Sequence, residues 1–401
     1  MTKPSILIGI HYLEIGGAEM ALIGLLNAID PQKADVDLFI YAHRGELMSL
    51  IPPHINILPE QSRYSLIEEP IATILKKRHF LLGLLRIIGK TRYNIHCLSH
   101  PNIKNGIDES EFQFLACYAS KILPDINDKQ YDLAINFCGI NEVILKKVKA
   151  RKKISWLHTD YSTVTLNDRL AMKVWSGFDH IASISDAVTH AFINKYPLLE
   201  SKVIKIENIL SSKFVRHRAD QYDASSELSG SIKLLSIGRY CTAKNYDNVP
   251  DICRKLIESG VSDDLKWYII GYGGDETLIR KKIADANMEK HVILLGKKDN
   301  PYPYIKSADI YVQPSRYEGK SITVREAQIL CKPVVVTAYP TASSQIQDGV
   351  DGRIVPLDNE GCAKGLKRFI TDKNQQNAIV SYLKNHDYGN ESEVCKIYDL
   401  L

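Results

Sequence analysis

The chain has 401 residues, of which 45% are hydrophobic and 24% charged, and its formal net charge is +4. This length exceeds the usual size of one hydrophobic core and predicts two domains of roughly 150 to 200 residues. The composition excludes a disordered or fibrous protein. A net charge this small gives no indication of nucleic-acid binding.

Features that depend on the cellular compartment point to the cytoplasm. The eight cysteines show no CxxC pair and no metal-ligand spacing, which predicts reduced thiols in a reducing compartment. The first apolar run soon meets His11 and Glu14, so it is too short and too polar for a signal peptide. No stretch approaches the roughly 20 apolar residues that cross a bilayer. We therefore expect a cytoplasmic protein.

The first half alternates strand patterns with helix patterns. A helical pattern over residues 17–29 follows the first strand pattern. Alternation of this kind predicts a parallel sheet with helices on both faces. The apolar runs typical of its strands cover residues 5–13, 36–42, 131–138, 152–159, 180–185 and 202–208.

A basic segment interrupts this alternation. From Pro70 to Ile107 the chain has no Asp or Glu but has seven Lys or Arg residues, Lys104 among them. Its mixture of apolar and cationic residues fits a basic amphipathic helix that lies on an anionic membrane face, with peripheral contact through residues 70–107. A core-packed helix with a solvated basic side, or a site for an anionic acceptor, fits the same pattern.

The second half repeats the α/β theme after a polar, Ser-rich stretch over residues 211–231 that resembles a linker or long loop. We therefore expect two doubly wound, Rossmann-like domains, over residues 1–210 and 211–379, facing each other across a cleft. Its strand patterns cover residues 232–240, 265–273, 291–296, 309–315, 333–339 and 352–357.

Ligands of open parallel sheets bind beyond the carboxyl ends of the strands, so the residues after each strand are the candidate site. In the first half, Gly16 and Gly17 open a helix carrying Glu19, and the segment WLHTDY places His158 and Asp160 just beyond another strand. Two interpretations of the Gly16–Gly17 loop remain open. It brings its backbone close to a bound phosphate or acceptor, or it is a plain strand-to-helix turn. For His158, a role in the site and a purely structural role also both remain open.

Cations, small residues and carboxylates follow the strands of the second half. An Arg fork, a Lys charge and the amides of a helix N-terminus suit a diphosphate, while carboxylates suit sugar and ribose hydroxyls. This chemistry predicts a nucleoside diphosphate sugar as ligand. The residues are Arg239, Lys244, Gly273, Gly274, Lys297, Glu318, Gly319, Lys320, Ser321 and Glu326.

The segment EGKSITVREAQ, from Glu318 to Gln328, resembles the E-x7-E element of retaining glycosyltransferases of the GT-B fold, in particular glycosyltransferase family four, also called group 1. GGAE at Gly16–Glu19, the Arg239/Lys244 pair and ADIYVQPSRYEG at 308–319 match in the same order along nearly the whole chain. The stretch Lys320–Thr323 departs from the aromatic, Gly and Leu-Pro residues of many relatives. The donor sugar therefore cannot be carried over from them.

The resemblance implies a role for each group. Glu326 would bind the ribose hydroxyls, and Glu318 the transferred sugar. Arg239 and Lys244 would neutralise the leaving diphosphate, assisted by the amides of 319–321, and the diphosphate would help to deprotonate the acceptor on the same face of the sugar. Gly273, Gly274, Lys297, Gly16 and Gly17 would contribute to donor binding, His158 would stabilise the sugar in the transition state, and Glu19 and Asp160 would lie on the acceptor side.

These implications define the expected reaction. A hexosyl group would move from a UDP-sugar, or from a GDP-sugar, to a saccharide or lipid-linked acceptor in cell-surface polysaccharide synthesis. We expect no cofactor and no metal, because the one Asp-x-Asp, Asp35 to Asp37, begins a strand rather than following one. In GT-B enzymes the C-terminal helix crosses back to the first domain, which we expect for residues from about 380 to 401.

Two other classes remain open. A sugar-nucleotide epimerase of the same architecture would use the donor without an acceptor. An inert partner subunit would retain the fold without activity. The intact set of Glu318, Glu326, Arg239 and Lys244 argues against such a loss of catalytic residues. A dehydrogenase is disfavoured, because neither glycine-rich turn is the spaced GxGxxG pattern with an acidic residue about 20 positions on.

Overall fold

The computed structural model describes residues 3–99, 107–162 and 164–401. Contacts divide the chain into two compact units. Unit 1 comprises Met1–Ile209 and Ser392–Leu401, and unit 2 comprises Leu210–Glu391. The acceptor-binding role of the first domain and the nucleotide-binding role of the second stay predictions.

Unit 1 contains a parallel sheet with strand order β3-β2-β1-β5-β6-β8-β9. The order reverses between β1 and β5, and that is where such sheets open a crevice for a ligand. Its elements are β1 (Ser5–Ile10), α1 (Gly17–Ala28), β2 (Asp35–Ile40), β3 (Asn56–Ile57), α2 (Ser62–Ser65), α3 (Ile71–Lys76), α4 (Phe80–Ser99), β4 (Ile107–Asp108), α5 (Ser110–Ala119), β5 (Gln130–Cys138), α6 (Asn141–Lys147), β6 (Lys149–Leu157), β7 (Val164–Thr165), α7 (Asp168–Trp175), β8 (His180–Ser183), α8 (Asp186–Lys195) and β9 (Val203–Lys205).

Unit 2 contains a second parallel sheet, of order β12-β11-β10-β13-β14-β15, which reverses between β10 and β13. Its elements are α9 (Ser212–Ala219), β10 (Ile232–Ile237), α10 (Val249–Glu258), β11 (Leu265–Ile270), α11 (Glu276–Asp285), β12 (Val292–Gly296), α12 (Tyr302–Ser307), β13 (Ile310–Gln313), α13 (Ile322–Ile329), β14 (Val334–Thr337), β15 (Arg353–Val355), α14 (Asn359–Thr371) and α15 (Lys373–Lys384).

The central strands are apolar runs because helices cover both faces of each sheet. Ile6, Leu7 and Ile8 of β1 have no exposed surface, and neither do Val334 and Val335 of β14. The prediction of two doubly wound parallel sheets is confirmed.

The sequence predicted a linker or long loop over residues 211–231, but the structure has a helix there. This stretch begins with α9, where the Ser211 hydroxyl accepts a hydrogen bond from the Phe214 amide and caps the helix. Val215 and Ala219, four residues apart, are buried. One cap and one short apolar face are enough to form this helix against α12 and α13.

The C-terminal segment is not one continuous helix from about residue 380. Helix α15 ends at Lys384, and after a break α16 (Cys395–Tyr398) belongs to unit 1. The Tyr398 hydroxyl accepts a hydrogen bond from the Asp30 amide at 2.8 Å, and Lys152 donates to the Leu400 carbonyl at 2.9 Å.

Within the described ranges, no helix is long and apolar enough to cross a membrane.

Candidate active site

The carboxylate of Glu318 is the centre of a hydrogen-bonded cluster in unit 2. Its Oε1 atom accepts from Lys244 Nζ at 2.6 Å, from Ser315 Oγ at 2.6 Å and from Gln313 Nε2 at 3.0 Å. Lys244 follows β10 and Glu318 follows β13, so the cluster lies at the carboxyl ends of the two strands where the sheet order reverses. This is the expected place for a ligand.

A second layer of hydrogen bonds fixes the orientation of Gln313. The Tyr311 hydroxyl donates to Gln313 Oε1 at 2.6 Å, and Thr323 Oγ1 lies 3.2 Å from the same oxygen. Because Oε1 is engaged as the acceptor, the amide nitrogen of Gln313 faces Glu318. Gln313 is completely buried, so this arrangement has little freedom to rotate.

The loop that carries Lys244 is tied to the loop that carries Glu318. Asn245, in the left-handed region at φ 61°, donates from Nδ2 to the Pro314 carbonyl at 2.9 Å. Arg316 binds both carboxylate oxygens of Asp247, at 2.9 and 2.8 Å. A bidentate Arg–carboxylate pair is a strong and directional contact. These side-chain bonds hold the loops of Lys244 and Glu318 next to each other.

Glu326 lies on α13 and is 3% exposed. Burial raises the pKa of its carboxyl to about 7, and the hydrogen bond that Tyr302 donates at 2.7 Å opposes the rise. Tyr302 is itself buried at the start of α12. The folded protein therefore holds the proton of this carboxyl more tightly than the unfolded chain does.

The N-terminus of α13 already has a partner in this structure. The Ser321 amide donates to Gln345 Oε1 at 2.9 Å, and Gln345 Nε2 donates back to the Ser321 carbonyl. Thr341 Oγ1 donates to the Glu318 carbonyl at 2.8 Å. Amides that were expected to face a phosphate are thus partly satisfied by Gln345, which would have to rotate away from a bound anion. Gly319 and Lys320 lie in the same loop, between Glu318 and Ser321.

The glycines after β11 differ from one another. Gly273 has a φ of 154°, and a Cβ there would lie 2.4 Å from the Tyr240 carbonyl oxygen, so its backbone requires glycine. A Cβ on Gly274 would meet nothing within 4 Å. Lys297, after β12, lies over the ring of Tyr272 with 4.7 Å from Nζ to the centroid. Gly273 has a structural explanation, and Gly274 is open to a ligand.

Arg239 and Lys244 both follow β10 but differ in their surroundings. Arg239 is exposed, and among the described residues it forms no salt bridge. The side chain of Lys244 is 19% exposed and paired with Glu318. The structure brings Lys244 and Glu318 together, whereas Arg239 remains a solvated cation near the same strand end.

In unit 1, the loop before α1 is folded around Glu19. A Cβ on Gly16 would lie 2.1 Å from Glu19 Oε2, which shows that this carboxylate lies over Gly16 at the start of the helix beginning at Gly17. Carboxylates are favoured at that position by the helix dipole. The backbone of Gly16 is extended, so no special conformation requires glycine there.

His158 follows β6 as a neutral imidazole. Burial lowers its pKa to about 4, although the contact of Nε2 with the Phe137 carbonyl at 2.8 Å favours the charged form. Because a carbonyl only accepts, Nε2 carries the proton and Nδ1 is left as an acceptor. Asp160 accepts from the Ser162 amide and hydroxyl, at 2.9 and 2.7 Å, and so forms a local turn.

A pocket that the sequence patterns did not indicate lies after β1 and β2 of unit 1. It encloses about 200 Å³ and is lined by polar groups of both signs. His11 Nδ1 contacts the Glu68 carboxylate, and Arg44 lies over the ring of Tyr12 while pairing with Glu69 at 3.2 Å. Burial raises the pKa of Glu68, but the hydrogen bond from His11 and the positive charges of His11, Arg44 and Arg86 together outweigh burial, so the net pKa is lowered. His11 directly follows a strand, which was the available signal.

Across residues 3–99, 107–162 and 164–401, no group of three or more His, Cys, Asp or Glu side chains is arranged to hold a metal ion.

Comparison with solved structures identifies the class of fold. The chain superposes on S. aureus TarM, solved with fondaparinux, alpha-GlcNAc-glycerol and UDP, with a TM-score of 0.70 at 14% identity over 99% of both chains. It superposes on Anabaena HepE, solved with UDP-glucose, with a TM-score of 0.67 at 15% identity over 98% of both chains. The two sheets and these neighbours define the GT-B fold.

Sequence comparison gives a family match over part of the chain. Residues 218–386 match the family model described as glycosyl transferases group 1. This matching segment contains the whole Glu318 cluster and Glu326. The resemblance drawn from the EGKSITVREAQ segment is thereby confirmed at the level of this family.

Curated relatives agree with the family. The chain is 24% identical over 330 residues to the amylovoran biosynthesis glycosyltransferase AmsK of Erwinia amylovora, covering 72% of this chain and 80% of that relative. It is 29% identical over 153 residues to the N-acetylgalactosamine-N,N'-diacetylbacillosaminyl-diphospho-undecaprenol 4-alpha-N-acetylgalactosaminyltransferase of Campylobacter jejuni. That second match covers 38% of this chain and spans 40% of the relative's length.

Proposed function

We propose that this protein transfers a sugar, with retention of anomeric configuration, from a UDP-sugar to a saccharide or lipid-linked saccharide in cell-surface polysaccharide synthesis. The observation that carries the proposal is the Glu318 cluster, where Lys244 and Glu318 meet at the carboxyl ends of β10 and β13. UDP is preferred as the nucleotide because the solved neighbours TarM and HepE hold UDP or UDP-glucose.

In the proposed mechanism Lys244 and Arg239 stabilise the negative charge that develops on the departing diphosphate. Two cations aimed at a leaving group supply the largest share of such catalysis when they are held in place before the reaction. Lys244 is held by Glu318, and Arg239 is an exposed fork suited to phosphate oxygens. The acceptor hydroxyl attacks the anomeric carbon on the face from which the diphosphate leaves and gives its proton to that diphosphate, so no protein nucleophile takes part.

Glu318 and Glu326 would bind different parts of the donor. Glu318 uses Oε1 for its three protein donors, which leaves Oε2 to accept from hydroxyls of the transferred sugar. Glu326 would accept from the ribose hydroxyls, and its ionised form is the competent one. Backbone amides of residues 319–321 would reach the diphosphate once Gln345 has turned away, and Gly274 and Lys297 are further donor contacts.

The acceptor is assigned to unit 1. We propose the pocket of His11, Tyr12, Arg44 and Glu68 as its binding site, because donors and acceptors of both signs suit a polyhydroxylated ligand. Burial lowers the pKa of His158, so the imidazole is neutral and its proposed role in stabilising the sugar in the transition state would not depend on a positive charge. The relatives' printed names, which include an amylovoran enzyme and a diphospho-undecaprenol transferase, support polysaccharide or lipid-linked acceptors.

A donor-turnover assay tests the proposal. The protein is incubated with a lipid-linked saccharide acceptor and with UDP-glucose, UDP-galactose, UDP-N-acetylglucosamine or the corresponding GDP-sugars, with and without a chelator, and released nucleoside diphosphate is measured. We expect release from one UDP-sugar that persists under chelation, and an α-configured product by anomeric NMR coupling from an α-linked donor. A β-configured product would contradict retention, and an epimerised nucleotide sugar would indicate an epimerase. The absence of turnover by every donor would favour an inert partner subunit.

A further inference from the structure

Helix α4 exposes an unusual number of apolar side chains. Among the described residues, six of the twelve large apolar side chains that are exposed belong to this one helix. Leu98 is 84% exposed and Phe80 is 64% exposed. Such a concentration differs from isolated surface leucines, which need no explanation, and marks an interaction surface. The six are Phe80, Leu81, Leu84, Ile87, Ile95 and Leu98.

The exposed apolar residues lie along one side of the helix. Positions 80, 84, 87, 95 and 98 recur at intervals of three, four or eight residues, which at about 3.6 residues per turn keeps them on one face. We call this face the apolar stripe of α4, and Leu81 lies beside its first turn. The stripe extends over most of the helix from Phe80 to Ser99.

The opposite face of α4 is fixed to unit 1, so the stripe is not a core face left uncovered by chance. A Cβ on Gly83 would lie 2.7 Å from Leu75 Cδ2, and one on Gly89 would lie 3.3 Å from Leu115 Cα, which shows close packing on α3 and α5. Arg86 donates to the carbonyls of Ile67 and Glu69. The helix therefore has an apolar packed side and an apolar exposed side.

The segment that carries the stripe contributes cations and no carboxylate of its own, although Glu111 of α5 lines a pocket together with Arg86 and Lys90. The chain has no Asp or Glu between Pro70 and Ile107. Lys76, Lys77 and Arg78 are exposed just before α4. Lys90 and Arg92 are also exposed, and at about 3.6 residues per turn they fall on opposite flanks of the stripe. Lys104, the last cation of the segment, lies outside the described residues.

We propose that α4 binds the surface of a bilayer that contains anionic lipids, with the apolar stripe entering the boundary between headgroups and acyl chains. Cations that flank an apolar face contact lipid phosphates while their stems follow the apolar surface. A second copy of the chain fits less well, because a self-complementary pairing would bring one set of cations against the other. The helix would thus hold unit 1 at the membrane surface.

Vesicle flotation of the full chain tests this assignment. Vesicles of phosphatidylcholine alone are compared with vesicles of equal parts phosphatidylcholine and phosphatidylglycerol. One variant removes stripe residues (Leu84→Gln with Ile87→Gln), and another removes flanking charges (Lys90→Gln with Arg92→Gln). Matched controls are Leu198→Gln, which alters an 85% exposed leucine elsewhere, and Lys146→Gln with Arg169→Gln, which alters exposed cations elsewhere in unit 1.

We expect the wild type and both controls to float with the anionic vesicles, and each α4 variant to lose about tenfold or more of that binding. Unchanged thermal unfolding midpoints would establish that the variants are folded. Equal binding to both kinds of vesicle would overturn the anionic requirement. Absence of binding to either, or a dimer that the stripe variant converts to a monomer, would overturn the membrane assignment. The readout needs no transferase activity, so its failure is separate from failure of the proposed function.

Discussion

Lys244 Nζ and Glu318 Oε1 lie 2.6 Å apart, although the cation follows β10 and the carboxylate follows β13, 74 residues later. Their side chains are 19% and 11% exposed. Each group thus neutralises the other in a partly dry site, where an unpaired charge would be costly. A bound diphosphate would give Lys244 a second anionic partner without leaving either charge alone.

Replacing Lys244 by Met should weaken nucleoside diphosphate binding about 10- to 100-fold, because a charge-assisted contact contributes about 1.5 to 3 kcal/mol. Calorimetric titration with UDP measures this directly. The control is Lys306→Met, which removes an exposed lysine paired with Asp220 at 2.6 Å on the same unit. Equal affinities for the wild type and Lys244→Met would remove Lys244 from the diphosphate site.

Replacing Glu318 by Gln should separate catalysis from nucleotide binding. We expect turnover to fall about 100-fold, as for loss of one preorganised electrostatic group. UDP affinity should not fall, because Lys244 is then freed from its carboxylate. Initial rates at saturating donor, together with UDP titration, give both quantities, and Glu360→Gln, which alters an exposed carboxylate on α14, is the control. A loss of UDP affinity with normal turnover would reverse the assigned role.

Glu326 should make the stability of the protein depend on pH. Burial raises the pKa of its carboxyl from 4.5 to about 7 in the folded state. Between these values the folded chain holds the proton more tightly than the unfolded chain, so the free energy of unfolding falls as pH rises through that window. The full effect is about 3 kcal/mol.

The measurement is urea unfolding at pH 5 and pH 8 of the wild type and of Glu326→Gln, whose neutral amide can still accept from Tyr302. We expect the wild type to lose more stability than the variant between the two pH values. Tyr302→Phe should raise the pKa of Glu326 further, while Tyr246→Phe is the matched control because the Tyr246 hydroxyl is buried with no hydrogen-bond partner among the described residues. Parallel pH profiles for the wild type and Glu326→Gln would show that Glu326 is ionised throughout.

The two adjacent glycines after β11 should respond differently to alanine. Gly273→Ala forces a Cβ to within 2.4 Å of the Tyr240 carbonyl oxygen and should destabilise unit 2 by about 1 to 3 kcal/mol. Gly274→Ala adds a methyl group to open space and should leave stability unchanged. Chemical unfolding of both variants tests the pair. Equal stability of the two variants would mean that the turn relaxes around the methyl group added at position 273 without cost.

The sheets could be predicted because each central strand is a continuous apolar run, as in Val334–Thr337 of β14, and a parallel sheet buried on both faces requires such runs. The Glu318 motif could be predicted because it is local in sequence. Helix α9 was missed because only two of its apolar positions are buried against other helices. A local sequence pattern does not show how a short helix packs against other helices.

Sequence patterns could not predict the other groups of the site, because these groups contact residues that are distant in the sequence. Tyr302 contacts Glu326 across 24 residues, and Gln345 contacts Ser321 across the same separation. Gln313 was assigned only to a strand, because nothing in its neighbourhood shows that its amide faces Glu318. His11 was visible after β1, but its partner Glu68 comes from a different part of the fold.

The most direct test of the account is calorimetric titration of the purified protein with UDP in the presence of a chelator, alongside Glu326→Gln. The account predicts micromolar binding of UDP by the wild type that survives chelation and is strongly weakened in the variant. Absence of binding to UDP, and equally to GDP, CDP and ADP, would contradict the assignment of a nucleotide-sugar site to unit 2.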